Sequence, residues 1–291
     1  MLDYNQLAAL TAIHRRGSFD LAATALAVTP SAISQRLKAL EDRMGTLLIR
    51  RGQPCTATDP GLRLIRHYED VMLLESSLAT DLPQGPKPST IRLAVNADSL
   101  ATWVLPALAS TENMLFDLVI DDQDHSQDWL RRGEVVGAIT GHSGPLQGCD
   151  TMALGALRYR ATASPGFVSR WLPDGVTSAS LSHAPALTFS DKDRLQRDWI
   201  ATQLGTGAAF AFPTHRIAST QAFVEAALLG LGWGMNPEPL IAHHIAAGTL
   251  VEIAPNTPFD VPLYWQFARL TSQAIAPLTR AIKAASADHL F

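Results

Sequence analysis

Helix-ending signals at Gly17 and Gly45 and helix-starting signals at Ser18 and Thr29-Pro30 together constrain the first 45 residues to a compact three-helix head. Gly17 stops a helix over residues 4–16, in which Leu7, Leu10 and Ile13 or His14 share one side. Ser18 follows at once, with a hydroxyl able to accept a free N–H of the next helix. That helix carries Phe19, Ala22, Ala23 and Leu26 at i, i+3, i+4 and i+7. Ala27-Val28 reads as a turn, and Thr29 caps a third helix opening at Pro30, where a missing N–H has no consequence. Ile33, Leu37, Leu40 and Met44 form its expected inner face, and Gly45 ends it. Two short helices, a tight turn and a third helix make a helix-turn-helix.

Leu47–Arg51 and Pro54–Thr56 read as two short strands about Gly52-Gln53, a wing that completes a winged helix-turn-helix over 1–58. Thr58 is placed to cap a linker helix over 59–82, with Leu62, Ile65, Val71, Leu74 and Leu78 set among charges. Nothing in that segment covers its apolar side, so the expectation is pairing with a second copy. Prolines 83, 86 and 88 cannot continue a helix and mark a hinge over 83–89. From Thr90 onward strands alternate with helices, a pattern that implies parallel-rich sheets covered by helices on both faces.

With 47% hydrophobic and 17% charged residues in 291, the chain can bury two sizeable cores. Two cysteines, Cys55 and Cys149, form no CxxC and suggest neither a disulfide framework nor a zinc site. The N-terminus lacks the features of a signal peptide, and no apolar run reaches the ~18 residues of a membrane span. A soluble, cytoplasmic protein without membrane contact is expected. The net charge of −4 is unevenly spread: residues 1–60 hold seven Lys and Arg against five Asp and Glu, the remainder 16 against 22. A basic head on an acidic body has the sign expected of DNA binding.

With Ile33, Leu37 and Leu40 facing inward, Ser31, Ser34, Gln35 and Lys38 face outward or to the flank. Short polar residues let a helix N-terminus enter the major groove closely, where Gln35 suits an adenine edge. Lys38, Arg36 and wing Arg50 or Arg51 suit phosphates. Ser18, Thr29 and Pro30, at the helix starts, complete the candidate DNA-binding set. The same pattern also fits a three-helix core with an ordinary charged face.

In the body, Asn96, Asp98 and Ser99 follow a strand and open a helical turn, where Ser99 and nearby N–H groups suit a carboxylate. Helix capping by Asp98 or Ser99 explains the segment equally well. Asp121–Asp124 follow another strand and suit an ammonium or guanidinium, or are an exposed acidic loop. Thr140 and Asp191 end further strands, with structural roles as the plain alternative. Enzyme and cofactor signals fail. Gly230-Leu-Gly232-Trp-Gly234 lacks the dinucleotide-binding spacing, and Gly141-His142-Ser143-Gly144 is no nucleophile elbow. His243 and His244 point about 100° apart on a helix and make a poor metal pair. No catalytic residue, cofactor or metal site is assigned.

The run Gly17-Ser18-Phe19, Ala22-Ala23, Leu26, Thr29–Ser34, Leu37, Leu40-Glu41, Gly45, Leu48, Arg51, Thr58 and Gly61 resembles the head of the LysR-type transcriptional regulators. Asn96–Trp103, Arg131–Ala138 and Tyr264-Trp265 resemble that family's ArgP/LysG branch, whose members sense basic amino acids and control lysine or arginine exporters. Ile49 stands where an aromatic is common, and Pro30 where Gln is common, which removes one base contact. The resemblance implies an α/β effector domain over 90–291 of two lobes, like periplasmic binding proteins. Lobe one would be about 90–162 with 266–291, and lobe two about 163–265. It also implies promoter DNA, RNA polymerase and a lysine or arginine effector as partners, and dimers that make tetramers. Asp122 sits where that branch keeps an acidic residue and is the expected partner of the effector's cation. The alternatives are an architectural or replication-inhibiting DNA-binding protein, and an enzyme acting on a small metabolite in the cleft.

Overall fold

A computed structural model describes residues 1–79, 88–121, 126–144, 146–205 and 211–291. The head follows the punctuation of its sequence. Helix α1 (Tyr4–Arg16) ends at Gly17 with φ +73°, α2 (Phe19–Ala25) opens with the Ser18 hydroxyl accepting Leu21 N–H, and α3 (Pro30–Met44) opens with Thr29 accepting Ala32 N–H. Leu7, Leu10, Ile13, Ile33, Leu37 and Leu40 meet in one core with Leu48, Ile49 and Ile65. Met44, expected in that core, is exposed: it is the last residue of α3, next to the Gly45 cap. The wing strands β1 (Ile49–Arg50) and β2 (Thr56–Ala57) are shorter than expected, and the second lies two residues later. The Glu41 carboxylate fixes the wing's base by accepting Leu48 N–H at 2.8 Å and Ile49 N–H at 3.3 Å.

The linker helix α4 (Asp59–Ala79) is capped by Thr58 and shared between two cores. Ile65 is buried in the head, whereas Leu73 is buried with Ile91, Trp103 and Ile275 in the body. Leu78 and residues 83–87 of the expected hinge lie outside the described side chains and backbone, and the chain resumes before β3 (Ser89–Val95).

The body holds α5 (Ala97–Ser99), α6 (Leu105–Ala109), β4 (Met114–Ile120), α7 (Ser126–Arg132), β5 (Gly137–Thr140), β6 (Cys149–Ala163), α8 (Pro165–Trp171) and α9 (Ser178–His183). It continues with β7 (Ala186–Thr188), α10 (Leu195–Leu204), β8 (Thr214–Arg216), α11 (Thr220–Leu228), β9 (Gly234–Pro237), α12 (Glu238–Ala246), β10 (Val251–Glu252), β11 (Phe259–Ala268) and α13 (Ala276–His289). A π-helical turn, Leu100–Val104, joins α5 to α6 just before Pro106, which has no N–H to give the Thr102 carbonyl.

The sheets correct the expectation of parallel-rich pairing. Among the described strands, β3 runs parallel to β4 and to β5, and β7 to β8, whereas β6 pairs antiparallel with β9, β10 and β11, as does β11 with β5. Two long strands, β6 and β11, carry the chain between the halves of the body. One half collects β3, β4 and β5, and the other gathers β9 and β10 onto the far end of β6, so the domain is two-lobed around one mixed sheet. Trp103, Trp199, Trp233 and Trp265 are fully buried in it. Gly155 is needed at a bulge between β6 and β11: its φ is +120°, and a Cβ there would sit 2.9 Å from Leu290 Cβ and 3.0 Å from Phe291 O. No described helix is long and apolar enough to cross a membrane.

Candidate nucleic-acid interface and effector cleft

On the head, burial of Ile33, Leu37 and Leu40 turns the opposite stripe of α3 outward. Thr29, Pro30, Ser31, Ser34, Gln35 and Lys38 are all exposed, and Ser31, Ser34, Gln35 and Lys38 follow one another at helical spacing. The Ser18 and Thr29 hydroxyls are engaged as helix caps. Arg50 and Arg51 are exposed on the wing, with the Arg51 guanidinium 5.3 Å from the centre of the Phe19 ring. The surface therefore presents short polar side chains flanked by cations, the arrangement that groove entry and phosphate contact require. His14, on the inner side, accepts Ala57 N–H at Nδ1 over 3.2 Å. Burial, then the neighbouring Arg15, holds its pKa below the ordinary histidine value.

Arg15, at the end of α1, reaches Glu69 on α4 through three hydrogen bonds of 2.7–3.1 Å, tying head to linker. Burial lifts the Glu69 carboxyl while the Arg15 charge opposes the shift. Arg66 of α4 lies on Gly133 of the body, a position whose φ of +72° favours glycine.

Between the lobes lies a cleft lined by Asn96, Asp98, Asp121, Asp193, Thr220 and Asn236 among others. Helices starting at Ala97, Thr220 and Glu238 all begin at its wall, because Asn96, Ser219 and Pro237 are their capping positions. Asp98 is the hub. Its Oδ2 accepts the Tyr159 hydroxyl and its Oδ1 the Thr220 hydroxyl, each at 2.8 Å, so one carboxylate touches β6 and both sides of the cleft. Asp121 accepts Trp129 Nε1–H at 2.9 Å and pairs with Lys192 Nζ at 3.5 Å from the opposite side. Asp193 accepts Phe189 N–H at 2.8 Å and Leu195 N–H at 3.0 Å, and burial raises its pKa. Asn236 gives its Nδ2–H to Thr162 at 3.0 Å, and its buried Oδ1, like that of Asn96, has no hydrogen-bond partner among the described residues. The lining is rich in acceptors and asks for a ligand rich in donors.

The structure brings Asn96 and Asp98 to this cleft and leaves others apart. Ser99 is fully buried behind it, its hydroxyl without a partner among the described residues. Thr140 is buried at the end of β5, where its hydroxyl accepts His142 N–H at 3.2 Å, and it does not line the cleft. Asp191 points away and pairs with Arg216 at 2.6 Å on the surface; Asp193, two residues on, takes the place expected of it. The loop turns between them because Ser190 Oγ accepts Lys192 N–H at 3.1 Å. Asp122 lies outside the described residues. Local spacing does not mark Tyr159, Thr220 or Asn236: they sit on β6, α11 and β9, and only the tertiary fold brings them to Asp98 or the cleft wall. No group of three or more metal-ligating side chains occurs among the described residues.

The chain matches two family models: "Bacterial regulatory helix-turn-helix protein, lysR family" over residues 4–62, and "LysR substrate binding domain" over 84–289. It is 43% identical to the HTH-type transcriptional regulator LysG of Mycobacterium tuberculosis over 287 residues, covering 98% of this chain and 94% of LysG. It is 40% identical to the HTH-type transcriptional regulator ArgP of Pseudomonas aeruginosa over 296 residues, covering 100% and 98%. Among solved structures, ArgP from Mycobacterium tuberculosis superposes with a TM-score of 0.84 at 42% identity, over 100% of this chain and 99% of that one. Full-length LysG from Corynebacterium glutamicum with bound effector arginine gives 0.72 at 33% identity, over 99% of each chain.

Proposed function

The chain belongs to the LysR family of transcriptional regulators, and on that premise we propose that its effector is arginine or lysine, taken up in the cleft between the lobes. The acceptor-rich lining carries the reading. Asp98, Asp121 and Asp193 stand beside the amide oxygens of Asn96 and Asn236, a set suited to the donors of an ammonium or guanidinium. Helix N-termini at Ala97 and Glu238 suit the α-carboxylate. The arginine bound to the Corynebacterium glutamicum relative supports the same ligand class.

The proposed parts are the head (1–58), linker (59–82), hinge (83–89) and the two lobes. In this proposal the effector favours one closure of the lobes, the one for which it has the higher affinity. Because α4 is seated on the body through Leu73 and Arg66, a change of closure is transmitted to the head. In this proposal linker helices pair two copies, dimers join into a tetramer, and the repositioned heads alter contact with a promoter and RNA polymerase in the cytoplasm. The gene controlled would be an amino acid exporter. In this reading the protein acts as a regulator rather than an enzyme, and the cleft carboxylates serve to bind the effector.

A thermal-shift screen against the twenty amino acids tests the effector class. Arginine or lysine should raise the melting temperature by mass action while leucine and glutamate leave it unchanged. A shift with acidic or apolar amino acids alone would exclude the reading. A DNase footprint that arginine leaves unaltered would favour the architectural alternative.

A further inference from the structure

We propose that Lys192 is a built-in competitor for the cation site of the cleft: its ammonium holds Asp121 across the lobes until the charged end of a basic amino acid takes its place. The inference rests on the reading of the cleft as a basic amino acid site.

The two partners are prepared very differently. Asp121 lines the cleft at the end of β4, and its Oδ2 is fixed by the Trp129 indole N–H at 2.9 Å. Trp129 is itself held by two guanidinium groups, Arg132 at 4.7 Å and Arg92 at 5.8 Å from its ring centre. The other oxygen, Oδ1, faces Lys192 Nζ at 3.5 Å. On the opposite lobe the backbone of the β7–α10 loop is pinned on both sides of Lys192, by Ser190 Oγ and by the Asp193 carboxylate. The Lys192 side chain is 53% exposed, whereas that of Asp121 is 22% exposed. A rigid anion therefore meets a cation on a long, flexible, well-solvated stem.

That asymmetry fits exchange. A half-exposed ion pair contributes little, so an incoming cation can displace it. Lys192 presents the same ammonium as a free lysine, and on release it stays in water at little desolvation cost. A basic amino acid restores the charge on Asp121 from within the cleft. A neutral amino acid has nothing to replace Lys192 with, and the pair bridging the lobes persists. Lys192 thus sets both the threshold for the effector and the bias against uncharged competitors.

The test uses the full-length protein titrated with L-arginine by calorimetry. Lys192→Gln should bind arginine about two- to fivefold more tightly than wild type, the range open to a half-exposed pair. On an Asp121→Asn background, where arginine binds more weakly, the same lysine change should bring no gain. Spin labels on Cys introduced at Glu112 and Asp174 report lobe separation without any amino acid, and Lys192→Gln should shift their distances to longer values. Unchanged or weaker arginine binding by Lys192→Gln, a gain that survives on the Asp121→Asn background, or identical distance distributions would each overturn the competitor role. Wild-type protein that binds no basic amino acid overturns the effector reading, and the competitor role with it.

Discussion

The Asp98 carboxylate accepts the Thr220 hydroxyl at 2.8 Å although 122 positions separate the two residues. Thr220 is the first residue of α11, so this bond sets the start of one lobe's helix against the start of the other's. With the Tyr159 hydroxyl on its second oxygen, Asp98 is the acceptor about which the cleft closes.

Asp98→Asn keeps the shape and removes the charge. Both hydroxyl neighbours can hydrogen-bond an amide, so the fold should persist and basal DNA binding should be unchanged. Hydrogen bonds to charged groups are worth about 1.5–3 kcal/mol, so arginine affinity should fall about tenfold to hundredfold. Calorimetry showing wild-type affinity would remove Asp98 from the site.

Gln35 stands on the exposed stripe of α3 and Arg50 on the wing. Gln35→Ala should weaken the cognate operator more than random DNA, by about 1–3 kcal/mol if the amide reads a base. Arg50→Ala should weaken both alike and reduce the salt dependence by about one counterion. Arg51 also stacks on Phe19, so its replacement by Ala should lower head stability as well as affinity. Equal losses for Gln35→Ala on both DNAs would mean that it does not read sequence.

His14 gives the head a pH dependence of definite sign. Its Nδ1 accepts the Ala57 N–H, and burial lowers its pKa in the folded protein. The unfolded chain then binds more protons, so this contribution is present above the ordinary histidine value, about 6.5, and is lost as pH falls below it. Wild type should lose head stability between neutral and mildly acidic pH, and His14→Gln should flatten that slope in chemical denaturation. Parallel slopes for the two proteins would rule His14 out as the cause.

How much of this was legible depended on the range of the forces involved. Ser18, Thr29, Gly17 and Gly45 act on neighbours within a few positions, so the head could be read from local spacing and was found with the expected caps. The same rules apply to Ser164-Pro165 and to the Thr177–Ser180 capping box, so α8 and α9 were readable there but overlooked. The first half of β6 was hidden for a physical reason: Gly155 and its bulge break the alternation that marks a strand. The cleft was legible only on its local side. Asn96 and Asp98 stand out after a strand, but the exchange of Asp191 for Asp193 depends on how the loop between β7 and α10 turns.

Leu73 offers a test of how the two halves communicate. It is 6% exposed and lies in the body's core, while Ile65, eight residues earlier on the same helix, lies in the head's core. A rigid α4 thus carries movement of the body to the recognition helix. Leu73→Ala leaves a cavity under the linker and should destabilise the body by about 2–4 kcal/mol. It touches neither the cleft lining nor α3, so arginine affinity and basal DNA affinity should stay near wild type. The expected loss is in coupling: the arginine-dependent change in a promoter footprint should shrink while both ligands still bind. Ile65→Val, a smaller deletion in the other core, should lower head stability by about 0.5–1.5 kcal/mol and keep the arginine response. If Leu73→Ala retains the full arginine-dependent footprint change, the effector signal does not pass through the seat of α4 on the body.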